Sequence, residues 1–272
     1  MSTTTNMPAP ASRNKEAKLG FQFRQFFVGH DRSSMKVGTD GVLIGAWSPI
    51  SHQPDIREIR AIRTEYSILD IGTGSGLIAL MLAQRCPEAQ IDAIDIDAAS
   101  CLQAQENFSA SPWAERLHVA QSSLQQWQMV NGKYPNGKCY DLIVSNPPYF
   151  VDSLKAPDAA RCAARHNDTL PFSTLIADSV RLLKPNGTLA LIVPCEAEQE
   201  LQTLAADAGL QCTRRCYVHP KPARPAKRVM IAWANGQSLS TEATERTEMI
   251  TLEDEHGARS YEYQQLTREF YL

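Results

Sequence analysis

The sequence lacks several features that would assign it at once to a large class of proteins. None of its apolar runs approaches the ~18 residues of a membrane-spanning helix, and its first residues lack the apolar core of a signal peptide. Its formal net charge is only −3, so overall charge gives no sign of nucleic-acid binding. We therefore expect a soluble, cytoplasmic protein in which any contact with nucleic acid depends on local patches.

Cysteines are few, odd in number and scattered, which argues against a disulfide framework. Several of them lie in apolar or helical patterns that are typical of reduced core residues. Cys212 and Cys216 are four residues apart, but no second pair or histidine cluster follows at the spacing of a zinc site. The sequence therefore predicts no metal site. The seven cysteines are Cys86, Cys101, Cys139, Cys162, Cys195, Cys212 and Cys216.

What is present indicates one large domain, or one domain with appendages. The chain has 272 residues and is 43% hydrophobic, which is ample for a sizeable core. Residues 1–18 are rich in Ser, Thr, Pro, Ala and Lys without periodicity, and we predict a disordered tail. Residues 19–65 are predicted to form an N-terminal cap segment. This segment either packs on the core as a flap or covers a cofactor, with Lys36 and Thr39 near the cofactor's carboxylate.

A glycine-rich turn at residues 72–76 is the first candidate binding site. It follows an apolar strand at 66–71 and precedes an apolar helix from Leu77 to Arg85. Glycines permit a tight turn and a close approach of ligand to backbone, and the helix N-terminus offers N–H donors. The spacing Gly-x-Gly-x-Gly departs from the dinucleotide fingerprint, and Asp70 would repel a pyrophosphate but suit an ammonium group. The predicted cofactor contacts of this loop are Asp70, Gly72, Thr73, Gly74 and Gly76.

Two further strand ends carry polar residues. Asp95 lies about 20 residues past the glycine loop, where a carboxylate can take both hydroxyls of a ribose. Asp97 is predicted to cap the helix that follows, from Ala98 to Phe108. A third strand closes at Ser122-Ser123. There Ser123 touches the adenine of a nucleoside cofactor or simply forms a turn.

The sequence Asn146-Pro147-Pro148-Tyr149 ends a buried strand. Two prolines stiffen this turn, so the Asn146 amide and the Tyr149 ring are held in fixed places. The Asn146 side-chain oxygen and the Pro147 carbonyl can accept the two N–H groups of an amine on a planar substrate, while Tyr149 offers a stacking face. Such acceptors free the amine's lone pair for attack. The alternative is a plain loop after a strand.

Strands and helices alternate along the chain, which predicts an α/β fold with a parallel, doubly wound sheet. In such sheets ligands bind beyond the carboxyl ends of the strands, so the glycine loop, Asp95 and Asn146 should share one crevice. A long polar loop at 151–171, with Arg161 and Arg165, is predicted to lie over it. A proline-stiffened basic loop follows later. It either contacts phosphates or is a solvated hairpin, and its cations are Lys221, Arg224, Lys227 and Arg228.

The sequence resembles the class I S-adenosylmethionine-dependent methyltransferases that methylate amino groups. Three motifs carry this resemblance, in this order: the glycine loop with Asp70, then Asp95, then Asn146-Pro147-Pro148-Tyr149. The resemblance implies that S-adenosyl-L-methionine is the cofactor, that residues 66–272 form the catalytic domain, and that Asn146, Pro147 and Tyr149 are catalytic. It also implies a seven-stranded, mostly parallel sheet with one antiparallel strand at its edge, near residues 228–234. This family carries an acid in its third motif where this chain has Ser122-Ser123.

Residues 25–28, 30–32, 35–47 and 270–272 resemble, more narrowly, the bacterial tRNA adenine-N6 methyltransferases. That resemblance implies methylation of adenine 37, beside the anticodon of a valine tRNA. The sequence leaves the oligomeric state open, with a monomer favoured. Rival interpretations are a release-factor glutamine methyltransferase, an rRNA guanine-N2 methyltransferase and a non-catalytic cofactor-binding partner protein. The first rival usually carries a separate helical domain, for which residues 20–65 are too short.

Overall fold

The computed structural model describes residues 19–33, 36–50, 66–127, 140–148, 170–236 and 245–271. The predicted disordered tail at 1–18 therefore lies outside the described residues, as does most of the predicted polar loop. Ten strands are described: β1 (Gly20–Gln22), β2 (Phe27–Gly29), β3 (Tyr66–Ile71), β4 (Ala89–Asp95), β5 (Leu117–Gln121), β6 (Tyr140–Ser145), β7 (Leu183–Pro194), β8 (Leu210–His219), β9 (Arg228–Asn235) and β10 (Arg246–Thr251).

Six α-helices accompany these strands in the described ranges. They are α1 (Thr39–Trp47), α2 (Leu77–Arg85), α3 (Ala98–Ser109), α4 (Phe172–Leu182), α5 (Glu198–Asp207) and α6 (Tyr261–Thr267), with short 3₁₀ turns at Ala114–Arg116 and Cys195–Ala197. No helix in these ranges has both the length and the apolar content needed to cross a lipid bilayer.

Strands β3 to β10 form one sheet in the order β10-β8-β9-β7-β6-β3-β4-β5. In this sheet β9 alone runs antiparallel to the rest, which confirms the α/β, doubly wound, mostly parallel fold class. The described sheet has eight strands rather than seven, because β10 adds a parallel strand beside β8.

The prediction that the antiparallel strand lies at the sheet edge is wrong. β9 lies between β7 and β8 and pairs antiparallel with both. The connection from β8 to β9, residues 220–227, is too short for the crossover that a parallel pair requires, so these two strands pair as a hairpin. β10 then occupies the edge.

The alternation of side chains along the strands builds a core on each face of the sheet. Ile68, Leu142 and Val144 face one cluster, which includes α1, α2, α3 and α6. Leu69 and Ile143 face the other, which includes α4 and α5. Buried parallel strands covered by helices on both faces explain the near-continuous apolar runs of the sequence.

The N-terminal hairpin β1–β2 packs on the first of these cores together with the C-terminus. The Phe23 ring stacks on Phe26 with centroids 4.7 Å apart and on Tyr271 with centroids 5.8 Å apart. The backbone N–H of Arg24 donates to the Phe270 carbonyl at 2.8 Å, and Phe270 is 2% exposed. Phe270 and Tyr271 therefore dock on the body of the protein, and Leu272 lies outside the described residues.

Candidate active site

A crevice of about 460 Å³ opens at the carboxyl ends of β3, β4 and β6. In the sheet β3 lies between β4 and β6, so this is the switch point at which doubly wound folds bind ligands. The chain reverses its winding direction here, and the loops leave the sheet on opposite sides. Six of the predicted site residues line the crevice: Gly72, Gly74, Asp95, Ser123, Asn146 and Pro147.

The glycine loop forms one wall of this crevice. The N–H groups of Gly72 and Thr73 both donate to the Ile94 carbonyl, at 2.9 and 3.0 Å, which folds the loop across the end of β4. Gly72 and Gly74 have φ angles of +69° and +55°, in a backbone region that residues other than glycine rarely adopt. A Cβ added at Gly72 would meet no atom within 4 Å, so a ligand can approach the backbone there.

Asp70 lies beneath the loop and is fully buried, so it does not line the crevice. Its Oδ2 accepts from the Thr73 hydroxyl at 2.7 Å and from the Ala79 N–H at 3.2 Å. Its Oδ1 has no hydrogen-bond partner among the described residues. Burial raises the pKa of Asp70 from 3.8 to about 7, although the two hydrogen bonds oppose this rise. Asp70 and Thr73 therefore brace the loop from below.

Gly76 packs against a helix rather than lining the crevice. Its φ is +82°, and an added Cβ would come within 2.5 Å of the Phe108 ring on α3. Of the cap residues, Lys36 is exposed and Thr39 is the first residue of α1, and neither lines the crevice. Cofactor contacts by Lys36 and Thr39 stay predictions.

Asp95 stands at the end of β4 with its carboxylate fixed by two backbone groups. Oδ2 accepts from the Gly74 N–H and Oδ1 from the Asp97 N–H, both at 2.9 Å. Each carboxylate oxygen has a second lone pair, so both oxygens can still accept a hydroxyl. Asp97 caps α3, which confirms its predicted role, and accepts from the Ser100 hydroxyl and N–H. The Ser100 hydroxyl bond is the main cause that lowers the pKa of Asp97.

Ser123 begins a turn and also lines the crevice, and its contact with the adenine of a cofactor stays a prediction. Its Oγ accepts from the Gln126 N–H at 3.3 Å, and its carbonyl accepts from the Trp127 N–H at 2.9 Å. Sequence reasoning missed the apolar residues around it, which give this side of the crevice the character of a slot for a flat ring. They are Ile94, Ile96, Leu124 and Leu170. The available signal in the sequence was the apolar Ile96 between Asp95 and Asp97 at the end of a predicted strand.

The end of β6 forms the opposite wall. The Ser145 hydroxyl donates to the Ile71 carbonyl at 2.8 Å, which ties the end of β6 to the strand that leads into the glycine loop. Asn146 follows half-buried, Pro147 is buried and Pro148 is exposed, and all three line the crevice. Tyr149 lies outside the described residues, as do Arg161 and Arg165.

The basic loop follows the carboxyl end of β8. Because β8 and β6 run in the same direction, the loop lies at the same end of the strands as the crevice. Between β6 and β8 lie β7 and β9, which places the loop roughly 14 Å from the end of β6 at the usual strand spacing. Arg228 Nε pairs with Asp40 at 2.9 Å, and Lys221 Nζ lies 3.5 Å from Glu253. Arg224 and Lys227 are exposed. RNA binding by these four residues stays a prediction.

Comparisons with known proteins agree on one chemical class. The family described as the methyltransferase small domain matches residues 57–208. A tRNA1(Val) (adenine(37)-N6)-methyltransferase of Parabacteroides distasonis is 46% identical over 253 residues, covering 93% of this chain and 97% of that protein. One of the same name from Aeromonas hydrophila is 42% identical, with the same coverage.

Solved structures show the same fold at low sequence identity. A predicted O-methyltransferase from Agrobacterium tumefaciens superposes with a TM-score of 0.58 at 15% identity, covering 85% of this chain and 96% of its own. A putative class I S-adenosylmethionine-dependent methyltransferase from Listeria monocytogenes superposes with a TM-score of 0.51 at 12% identity, covering 76% of this chain and 62% of its own. Both have the class I methyltransferase architecture.

Proposed function

Since the chain belongs to the methyltransferase small domain family, we propose that it transfers a methyl group from S-adenosyl-L-methionine to the exocyclic N6 amine of adenine 37 in a valine tRNA. The observation that carries this proposal is that one crevice joins the glycine loop and Asp95 to Asn146 and Pro147. The names of the relatives support the choice of substrate. The class of enzyme is shown by the family, and the target base is the proposal.

The residues of the crevice fit the cofactor. Its volume lies within the ~300–1,000 Å³ that is typical of small-molecule sites. The two Asp95 oxygens would accept the ribose hydroxyls, and Ile96 and Leu124 would enclose the adenine. Asp70 Oδ1, buried without a partner among the described residues, would face a methionine ammonium across the Gly72–Gly74 backbone, and that ammonium would favour the ionised form of the carboxyl. When bound, the cofactor supplies an electrophilic methyl group on its sulfonium.

The amine end of the reaction would depend on Asn146 and Pro147. An exocyclic amine is a poor nucleophile because its lone pair is delocalised into the ring. Acceptance of its two N–H groups by the Asn146 amide oxygen and the Pro147 carbonyl favours a pyramidal nitrogen whose lone pair can attack. Tyr149 would stack on the target base once that base has left the stack of its neighbours. Positioning and electrostatics then supply the acceleration without a titrating base.

The test is a methyl-transfer assay with three acceptors. The protein is incubated with radiolabelled S-adenosyl-L-methionine and with unmodified total tRNA, total rRNA or a release factor. The RNAs are then digested to nucleosides and the release factor to amino acids. We expect N6-methyladenosine from tRNA alone. Label in N2-methylguanosine from rRNA, or in glutamine of the release factor, would replace the proposed substrate by one of the rivals.

A matched pair of transcripts then tests the position. One is the unmodified valine tRNA, and the other carries guanine in place of adenine 37. We expect label in the first transcript and none in the second. Equal labelling of both would show that the enzyme methylates another nucleotide.

A further inference from the structure

A second cavity of about 610 Å³ lies away from the crevice, between the N-terminal hairpin and α6. Three arginines line it, Arg24, Arg259 and Arg268, and none of the described residues that line it is acidic. Aromatic rings form part of its walls: Phe21, Tyr263 and Tyr271. In a chain whose net charge is −3, this concentration of guanidinium groups beside rings is a local reversal of charge.

The groove is held in shape by contacts between its own walls. The Arg24 Nε donates to the Tyr271 carbonyl, and the Tyr263 and Tyr271 hydroxyls lie 2.9 Å apart. The Arg259 guanidinium stacks over the Tyr263 ring, 4.7 Å from its centroid. Arg268 is 67% exposed and lies 3.8 Å from Glu269, a loose ion pair. The cations are therefore presented on a built surface rather than on free chain ends.

The groove is linked to the basic loop through Glu253. β10 ends beside β8, with Thr251 opposite His219, and Glu253 forms a β-bridge with Arg259. Glu253 is also the ion-pair partner of Lys221 in the basic loop. β10 is four strand spacings from β6, so this end of the groove lies roughly 19 Å from Asn146 along the sheet edge.

We propose that this groove, Arg24, Arg259 and Arg268 with Phe21 and Tyr271, is a second RNA-binding surface that holds the phosphate backbone of the tRNA outside the anticodon loop. The proposal rests on the proposed function for the identity of the RNA. Guanidinium groups bind phosphate oxygens through paired N–H donors. The Phe21 ring, 38% exposed, can stack on a sugar or base, while Tyr271, stacked on Phe23, forms part of the groove wall. A separation of ~19 Å corresponds to five or six stacked nucleotides at ~3.4 Å each, so the groove reaches the stem rather than the target base.

The test compares steady-state kinetics of Arg259→Gln/Arg268→Gln with the wild type on unmodified valine tRNA. Arg24 is left intact because its Nε supports the C-terminal segment. We expect KM for tRNA to rise roughly tenfold at ~0.15 M salt, with kcat and KM for S-adenosyl-L-methionine unchanged. The slope of log KM against log salt should fall by about one for each phosphate that the variant no longer neutralises.

Single variants provide the matched control. Arg268→Gln and Arg246→Gln remove the same charge from side chains of similar exposure, 67% and 73%, each beside a glutamate. Arg246 begins β10 and so lies towards the amino ends of the parallel strands, whereas the crevice opens at their carboxyl ends. Arg268→Gln should raise KM for tRNA about threefold and Arg246→Gln should leave it unchanged.

Equal effects of the two single variants, or an unchanged KM and salt slope in the double variant, would overturn the proposal. A groove that instead bound a protein partner would give that second result. Fluorescence anisotropy measures the Kd for tRNA separately, in the absence of turnover. Failure of the proposed function would appear as a wild type that methylates no tRNA, whereas failure of this proposal leaves wild-type methylation intact.

Discussion

The side-chain amide of Asn107 hydrogen-bonds both backbone groups of Gly29. Its Oδ1 accepts from the Gly29 N–H, and its Nδ2 donates to the Gly29 carbonyl, both at 2.9 Å. The same Nδ2 donates to the carbonyl of Ser75 in the glycine loop at 2.8 Å. Asn107 is 5% exposed. One buried side chain on α3 thus couples the N-terminal segment to the glycine loop of the proposed cofactor site.

Asn107→Ala should weaken the cofactor site as well as the fold. Three buried backbone groups would be left without their hydrogen-bond partner, and each such group costs about 1–3 kcal/mol. We expect the free energy of unfolding to fall by roughly 3 kcal/mol and the Kd for S-adenosyl-L-methionine to rise at least about tenfold. Calorimetry measures both.

Gln105→Ala, an exposed change on the same helix, is the control and should alter neither quantity. A stability loss in Asn107→Ala without any change in Kd would mean that the amide supports the hairpin alone. In that case the coupling to the glycine loop through Ser75 has no functional consequence.

Asp70 should make the stability of the protein depend on pH in the direction opposite to that of most carboxylates. Its pKa is raised to about 7 in the fold, whereas the unfolded value is near 3.8. The native state therefore holds a proton that the unfolded state has released, and the stability present below pH ~4 is lost as pH rises to ~7. Above pH ~7 the free energy of unfolding is lower than below pH ~4 by on the order of 4 kcal/mol from this one group.

Asp70→Asn tests this sign in the ligand-free protein. We expect the variant to exceed the wild type in free energy of unfolding at pH 8, with the difference shrinking towards pH 5. Urea unfolding at several pH values measures it. Asp207→Asn removes an exposed carboxyl and controls for the loss of one surface charge. A constant difference across this range would contradict a raised pKa.

The basic loop should separate into residues that bind RNA and one that supports the fold. Arg224 and Lys227 are exposed, whereas Arg228 is paired with Asp40 at the start of α1. Arg224→Gln/Lys227→Gln should raise the Kd for tRNA and lower the salt slope by about two, with the melting temperature unchanged. Arg228→Gln should instead lower the melting temperature. An unchanged salt slope in the double variant would make the loop a solvated hairpin.

Local patterns predicted the parts of the structure that local geometry decides. The carboxylate at the end of β4, the Asp97 cap and the turn at Asn146-Pro147 all follow from a strand that stops at a polar or proline residue, and their convergence follows from the topology of a parallel sheet. Asp70 shows the limit of this reasoning. Its acidity and position predicted a ligand contact, but its burial depends on Thr73 and Ala79 folding over it.

Contacts between segments that are distant in the chain could not be predicted from the sequence alone. Side chains along β10 do not alternate between buried and exposed, and Met249 is 72% exposed. Backbone pairing with β8 and the Arg214–Glu248 ion pair hold this strand in place, so its sequence needs no apolar periodicity. The position of β9 inside the sheet and the Asp40–Arg228 pair likewise join segments that are distant in the chain. The second groove is built from both ends of the chain, so no single stretch indicates it.

Asn146→Ala should separate cofactor binding from methyl transfer. Gly72 and Gly74 follow β3 and Asp95 ends β4, so this wall of the crevice is separate from Asn146 and the Kd for S-adenosyl-L-methionine should stay within several-fold of wild type. Methyl transfer should fall by at least ~10²-fold, because the amine loses an acceptor positioned for the transition state. Gln105→Ala, which removes an exposed amide on α3 that does not line the crevice, is the control and should retain full activity. If Asn146→Ala transferred methyl groups at near the wild-type rate, the carbonyl of Pro147 and the fit of the base would have to orient the amine without the amide.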